Sequence, residues 1–341
     1  MQMRDDLGIT TKLENGKAYL EFALPEKIGR LLSALQIEIW EGAEGERLVF
    51  HGEYSSEEAD SMTALLLRPH LWDGMRDPYV YLVKAQGRFR SVEYGEKMGG
   101  MEKEEKLDPA EDITGEVEMY WRQELTIYDV RVVEKKGILL NEKEFLPHEV
   151  VYRLPPQISD AGTRVEQVRR DLERLVQMGV NVIRLEGTGT GAEGVNCSEV
   201  RTFYSLCRKR GFLTGDLWIR PENLPVYRGL PGETTCQALL AADGRTLTER
   251  YYYYQAKWSS EPVLYPVLST LHRQENGLLS LTIYSNQKKV VLYVDGVLFL
   301  FQSAASGDPE FIFEDIPVEK LPLHLAVEAG NLSISLTVTK L

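Results

Sequence analysis

Two changes of hydrophobic period along the 341 residues predict a multidomain protein of β plus α/β class. Apolar and polar residues alternate between about residues 17 and 85, as half-buried strands require. Between 137 and 220 the spacing changes to that of amphipathic helices, each followed by a short apolar run. After Tyr251 alternation returns and continues to Leu341. The expected order is therefore a β-sandwich, a parallel α/β segment and a second β-sandwich.

The first strands are read at 17–25 (KAYLEFALP), 35–40 (LQIEIW) and 47–54 (RLVFHGEY), with the glycines of 42–46 placed to close a hairpin. TALLLRP (63–69) and YVYLVKA (79–85) follow, separated by a loop. Strands at this spacing with no helix between them form antiparallel sandwiches. The stretch 95–112 is rich in glycine and charge and reads as a loop, because strand pattern resumes at EVEMYW (116–121) and ELTIYDVRVVE (124–134). Thr163 can cap a helix, with Glu166 as its capping-box partner. Val165, Val168, Leu172, Leu175 and Val176 form its apolar face, and Gly179 ends it. NVIRL (181–185) is a buried strand, SEVRTFYSLCRKR (198–210) a second helix and FLTGDLW (212–218) another strand. That alternation implies parallel strands with right-handed crossovers. Residues 221–232 read as a linker with three prolines and two glycines, and 235–254 as starting with a short helix. At least six strands follow, the pattern of a sandwich.

A hydrophobic share of 43% and a charged share of 27% are ordinary for a globular protein with room for two or three domains. The net charge of −13 argues against a nucleic-acid partner, which needs a basic face. The three cysteines, Cys197, Cys207 and Cys236, form no CxxC pair, and a low odd count fits a reducing cytoplasm. The first residues show no apolar signal core, and no run of about 18 apolar residues occurs, so a cytoplasmic location without a membrane span is expected. No two of the five histidines stand at metal-ligand spacing. The GTGTGAEG run (187–194) lacks the lysine and hydroxyl ending of a phosphate loop, so neither cofactor nor metal is expected.

Five segments, taken in order, resemble glycoside hydrolase family 2, the β-galactosidase and β-glucuronidase family. They are Leu71, Trp72, Asp77, Pro78, Tyr79 and Tyr81; Gly137, Leu139, Leu140, Asn141 and Lys143; Arg170, Asp171, Leu172, Met178, Gly179, Asn181, Val182 and Arg184; Phe203, Tyr204, Leu206, Cys207, Gly211 and Asp216; and Tyr251–Tyr254 with Trp258, Pro262, Tyr284, Ser285, Asn286, Leu292 and Gly296. The resemblance implies an immunoglobulin-like β-sandwich at 1–136, a truncated TIM-barrel-like α/β segment at 137–232 and a C-terminal immunoglobulin-like β-sandwich at 233–341. It also implies a departure from the family's chemistry. The stretch from 137 to 243 is less than half of the roughly 250 residues of a complete barrel. Strands after about the third have no counterpart, and with them go the acid/base and nucleophile glutamates. The only Asn-Glu pair, Asn141-Glu142, falls in the turn entering the barrel. The histidine that the family places after the first barrel strand is replaced near Arg153. Retaining hydrolysis needs two carboxyl groups about 5–5.5 Å apart across the scissile bond, held with separated pKa values.

No catalytic residue is assigned. Arg184, Glu186, Asp216 and Trp218 are the carbohydrate-binding candidates, at or just past the ends of two expected parallel strands, the functional face of a barrel. Glu186 and Asp216 fit either a substitute acid/base pair or solvated carboxylates paired with Arg184 and Arg220. Trp218 fits either stacking on a sugar or packing between domains. Trp72 and Trp258 read as domain-interface anchors. Tyr251–Tyr254 fit either stacking on a ligand or packing, since on a strand they would point alternately to its two faces. Three functions remain: an inactive relative retained to bind carbohydrate or protein, a glycosidase completed by a second chain, and a structural or assembly module. The open edges of a truncated sheet need cover, which makes a homo-oligomer a further expectation.

Overall fold

The computed structural model describes residues 7–59, 61–92, 113–155, 161–186, 197–215, 224–229, 238–305 and 307–340. They fall into two compact units, Met1–Phe145 and Leu146–Leu341.

The first unit contains β1 (Gly8–Glu14), β2 (Lys17–Ala23), α1 (Glu26–Gly29), β3 (Leu32–Glu41), β4 (Arg47–Ser55), β5 (Thr63–Leu67), β6 (Tyr81–Val92) and β7 (Ile113–Leu125). Short strands β8 (Val130–Val133), β9 (Gly137–Leu140) and β10 (Lys143–Glu144) follow. Two antiparallel sheets, β1-β2-β5 and β4-β3-β6-β7, share one core. Alternate residues supply it: Ala18, Leu20 and Phe22 from β2, Leu35, Ile37 and Ile39 from β3, and Tyr81, Val83 and Ala85 from β6. The glycine-rich loop expected at 95–112 lies outside the described residues.

The strands β8 to β10 form a third sheet. Asn141 and Glu142 turn the chain between β9 and β10 with φ of 49° and 66°. The Asn141 side chain accepts from the Asp129 amide at 3.0 Å and donates to the Trp72 carbonyl at 2.9 Å. Lys143 Nζ reaches Asp73 at 2.8 Å. The motif residues of this region thus brace a turn.

The second unit opens with β11 (Glu149–Tyr152), α2 (Ala161–Met178), β12 (Val182–Leu185), α3 (Cys197–Lys209), β13 (Leu213–Thr214), β14 (Val226–Arg228), β15 (Ala238–Leu240) and α4 (Glu249–Trp258). Every neighbouring pair in the sheet β13-β12-β11-β14-β15 is parallel. The three expected strands lie in sequence order, and two unexpected ones continue the sheet beyond β11. The reversal between β11 and β14 is a topological switch point, where open α/β sheets place ligands at the strands' carboxyl ends. Among the described residues β13 and β15 each have one strand neighbour, so this sheet is open.

One sheet face packs on the helices. Val150, Tyr152, Ile183 and Leu185 meet Val168, Leu172, Leu175 and Met178 of α2 and Phe203 and Cys207 of α3. Burial pushes the Cys207 thiol up, which fits an inert packing role. Five local expectations are corrected. The helix α2 starts at Ala161, so Thr163 lies inside its first turn. Val176 is exposed, and Met178 takes the buried place. The linker read at 221–232 contains β14, and Ala238–Leu240, read as helix, is a strand. Tyr251–Tyr254, read as strand, occupies α4. Tyrosine favours strands, but packing against α2, β15 and the following sandwich decides this segment.

The rest of the unit is β16 (Leu264–Arg273), β17 (Leu279–Ser285), β18 (Lys289–Val294), β19 (Val297–Ser303), β20 (Glu310–Ile316), β21 (Leu323–Ala329) and β22 (Leu332–Val338). The antiparallel sheets β16-β17-β20 and β19-β18-β21-β22 enclose a core of Leu281, Ile283, Leu292, Phe311, Phe313, Leu325 and Val327. No helix among the described residues is long and apolar enough to cross a membrane, and they hold no metal-binding cluster of His, Cys, Asp or Glu.

Candidate functional site

The parallel register fixes which side chains share the sheet face opposite α2 and α3. Glu149 pairs with Val182 and Val151 with Arg184, so Glu149, Val151, Val182 and Arg184 lie on one face. There the Arg184 Nε donates to Glu149 Oε1 at 2.9 Å, with the Glu149 side chain fully buried. One step further along the strands Arg153 forks onto Glu186: its Nε meets one carboxylate oxygen and its Nη2 the other at 3.3 Å. Arg153 Nη1 also donates to the Arg228 carbonyl at 3.2 Å, tying the end of β11 to β14 across the switch point. The Glu186 amide donates to the Tyr152 carbonyl at 2.9 Å. Fork-on-carboxylate pairs of this kind are strong and directional.

Behind these pairs sits a buried cluster around Asp171, which α2 delivers to the helix side of the sheet. Asp171 is 1% exposed. It accepts from Tyr152 Oη at 2.9 Å, Tyr227 Oη at 3.1 Å and Arg228 Nη2 at 2.5 Å. Burial, and then the Asp171 charge, push the Tyr152 and Tyr227 phenols up, so both remain donors. The two rings stack with centroids 5.5 Å apart. The cluster binds α2, β11 and β14 together and fixes the backbone that carries Arg153 and Arg228.

A second feature lies where α4 meets the C-terminal sandwich. A cleft of about 740 Å³ is lined by Thr246, Thr248, Glu249, Arg250, Tyr253, Tyr254, Tyr265 and Tyr284, with Ala241 and Leu247. The rings brace one another: Tyr253 meets Tyr284 and Tyr254 edge-on, each at 5.4 Å, and Tyr252 stacks on Tyr265 at 3.8 Å. Arg250 sits 5.6 Å from the Tyr254 ring centre. Glu249 accepts from the Ser269 hydroxyl at 2.6 Å and its amide at 3.2 Å. Burial raises the pKa of Tyr265 and Tyr284, which keeps both hydroxyls protonated. The volume is that of a small-ligand site, and the walls combine aromatic surface with hydrogen-bonding groups.

Of the four residues expected to bind carbohydrate, Arg184 and Glu186 fall on the strand-end face, and Asp216 and Trp218 lie outside the described residues. Arg184 and Glu186 are not each other's partners: they pair with Glu149 and Arg153. The GTGTGAEG run is also outside the described residues. Trp258 stacks on His148 with ring centres 5.2 Å apart and interplanar angle 6°, and meets Tyr254 at a tilt of 41° with centres 4.5 Å apart. Trp72 is buried in the first unit beside Tyr128. The cleft itself was not legible in the sequence, where ligand stacking by Tyr251–Tyr254 stood only as the alternative to packing. Its signal was present in four consecutive tyrosines, which a helix turns partly outward beside Arg250.

Structures of glycoside hydrolase family 2 type match the chain. Solved structures cover most of the chain at moderate similarity and low identity. An FMN-binding β-glucuronidase from Facaelibacterium prausnitzii L2-6 matches with TM-score 0.60 and 14% identity over 98% of this chain and 74% of its own. A putative β-galactosidase from Bacteroides fragilis gives 0.62 and 13% over 97% and 72%. A β-glycosidase from Bacteroides vulgatus gives 0.63 and 11% over 98% and 64%. No family model and no curated protein matches the sequence. The structural likeness establishes the fold.

Proposed function

We propose that this chain is a glycoside hydrolase family 2-like protein that binds carbohydrate without hydrolysing it. Its architecture is an immunoglobulin-like sandwich, a truncated barrel remnant and a second immunoglobulin-like sandwich. The observation that carries the reading is that, among the described residues, Glu186 just past the end of β12 and Glu149 at the start of β11 are each paired with an arginine. A retaining glycosidase needs two carboxyl groups aimed at the substrate, one protonated and one ionised. Glu186 has both oxygens engaged by Arg153, and Glu149 is buried beneath Arg184, so neither geometry suits attack on an anomeric carbon.

Sugar binding asks for less. A pyranose has an apolar C–H face and a rim of hydroxyls. Fixed tyrosine rings offer the first a flat surface, and Arg250, Glu249 and the phenols offer the second donors and acceptors. We assign the sugar to the tyrosine cleft, with the Arg184 and Glu186 pairs serving as a scaffold.

A glycan array followed by calorimetry on the hits tests this assignment. Each stacking ring contributes about 1 kcal/mol, so Tyr253→Ala or Tyr284→Ala should weaken a hit roughly fivefold. Arg184→Ala should weaken it less. An array without hits, or hits indifferent to both tyrosine variants, would overturn the assignment.

A further inference from the structure

The tyrosine cleft is larger than one sugar needs. A hexose has about 12 non-hydrogen atoms, whereas pockets of about 300–1,000 Å³ enclose drug-sized molecules. At about 740 Å³ the cleft stands in the upper part of that range, and a single sugar would leave much of it to water. Its aromatic surface is also spread over two elements. Tyr265 and Tyr284 are cross-strand partners on β16 and β17, with nearly parallel rings whose centres lie 6.5 Å apart. Tyr253 and Tyr254 reach the same space from α4. Tyr253 stands edge-on to Tyr284 and to Tyr254, at interplanar angles of 79° and 87°. All four tyrosines are half-buried. They present more than one plane, so one pyranose cannot lie flat on all of them.

The charges around the rings balance. Glu249 and Arg250 are neighbours on α4, and both line the cleft. Both Glu249 oxygens accept from Ser269. Lys257 lies 5.7 Å from the Tyr253 ring centre, and Glu310 on β20 is the cross-strand partner of Tyr284. On the turn that carries Thr246, Asp243 and Arg245 add one charge of each sign. Among these residues three cations thus stand beside three carboxylates, and neither sign of charge dominates.

We propose, resting on the assignment of sugar to this cleft, that it takes a segment of two or three linked neutral sugars rather than a single terminal unit. One unit lies against Tyr265 and Tyr284, and the next against Tyr253 or Tyr254. A glycan chain turns from unit to unit, so successive units can meet walls set in different planes. Each unit that gains a tyrosine should tighten binding roughly fivefold. A site with balanced charge gains little from a charged sugar, so binding should also be indifferent to salt.

Calorimetry with a chain-length series of an array hit, from one unit to four, tests it. The expected result is a Kd that falls about tenfold or more from one unit to three, then levels off, and is the same at low and high salt. Tyr265→Ala and Tyr254→Ala should each weaken the three-unit ligand roughly fivefold, and at most one of them should weaken the single sugar. Circular dichroism establishes that the variants fold. An affinity that does not change from one unit to three, or hits confined to charged glycans, would overturn the proposal and leave sugar binding standing. An array without hits would overturn the sugar assignment itself, and the proposal with it.

Discussion

Removing the Asp171 carboxylate is the sharpest structural perturbation available in the second unit. The side chain is 1% exposed and receives two phenolic hydroxyls and the Arg228 guanidinium, itself 4% exposed. Asp171→Ala leaves that cation buried without its partner, which costs about 3–5 kcal/mol when one member of a buried pair is deleted. Two stranded hydroxyls add about 1–3 kcal/mol each where the site cannot relax. These terms overlap, so we expect a total near 5 kcal/mol, comparable with the whole stability of many domains. Asp171→Asn keeps an acceptor for one hydroxyl and should cost about 3 kcal/mol, the charge part alone. Asp171→Ala combined with Arg228→Met removes both charges and should recover much of the loss. Hydrogen exchange read by mass spectrometry on peptides from α2 and β11 reports this unit separately from the first. If Asp171→Ala leaves those peptides within about 1 kcal/mol of wild-type protection, the cluster does not hold the sheet together and the reasoning is wrong.

Two further outcomes follow from the same unit. Gly179 has φ of +87°, and a Cβ there would sit 2.4 Å from the Trp258 carbonyl oxygen and 2.9 Å from the Ser259 nitrogen. Gly179→Ala should therefore cost about 2–5 kcal/mol from left-handed strain and backbone overlap, seen as a fall in Tm, and Gly179→Asn, which tolerates the angle, should recover little of it. His148 is held below the ordinary histidine pKa, chiefly by burial, with the Gly179 carbonyl opposing at 2.8 Å. The folded form thus binds fewer protons than the unfolded one, so its stability contribution is full above about pH 6.5 and is lost as pH falls below it. Tm measured from pH 8 to 5 should fall less steeply in His148→Gln than in the wild type.

Much of the fold was legible because its elements are long enough to show a period. The alternation in β2, β3 and β6 declared the first sandwich, and Val168, Leu172 and Leu175 declared α2. The strands β14 and β15 were not legible, since three residues among prolines and glycines carry no period. Sheet order was hidden for a related reason: which side of β11 receives β14 depends on tertiary packing. The tyrosines of α4 misled because their strand propensity conflicts with the helix that their neighbours impose. At the candidate site the sequence pointed to Arg184 and Glu186 but not to their partners. Glu149 and Arg184 are 35 positions apart, and only the parallel register brings them together. Arg153 was visible solely as a departure from the family pattern, yet it is the group that occupies Glu186.

The claim that matters most is that these carboxylates do not perform hydrolysis. Purified protein should be assayed against a panel of aryl α- and β-glycosides beside Glu186→Gln. The account predicts no turnover above the level of that variant, at low and at high protein concentration. Turnover that persists through purification and falls in Glu186→Gln would mean that a working acid or nucleophile exists on the strand-end face, and would contradict it.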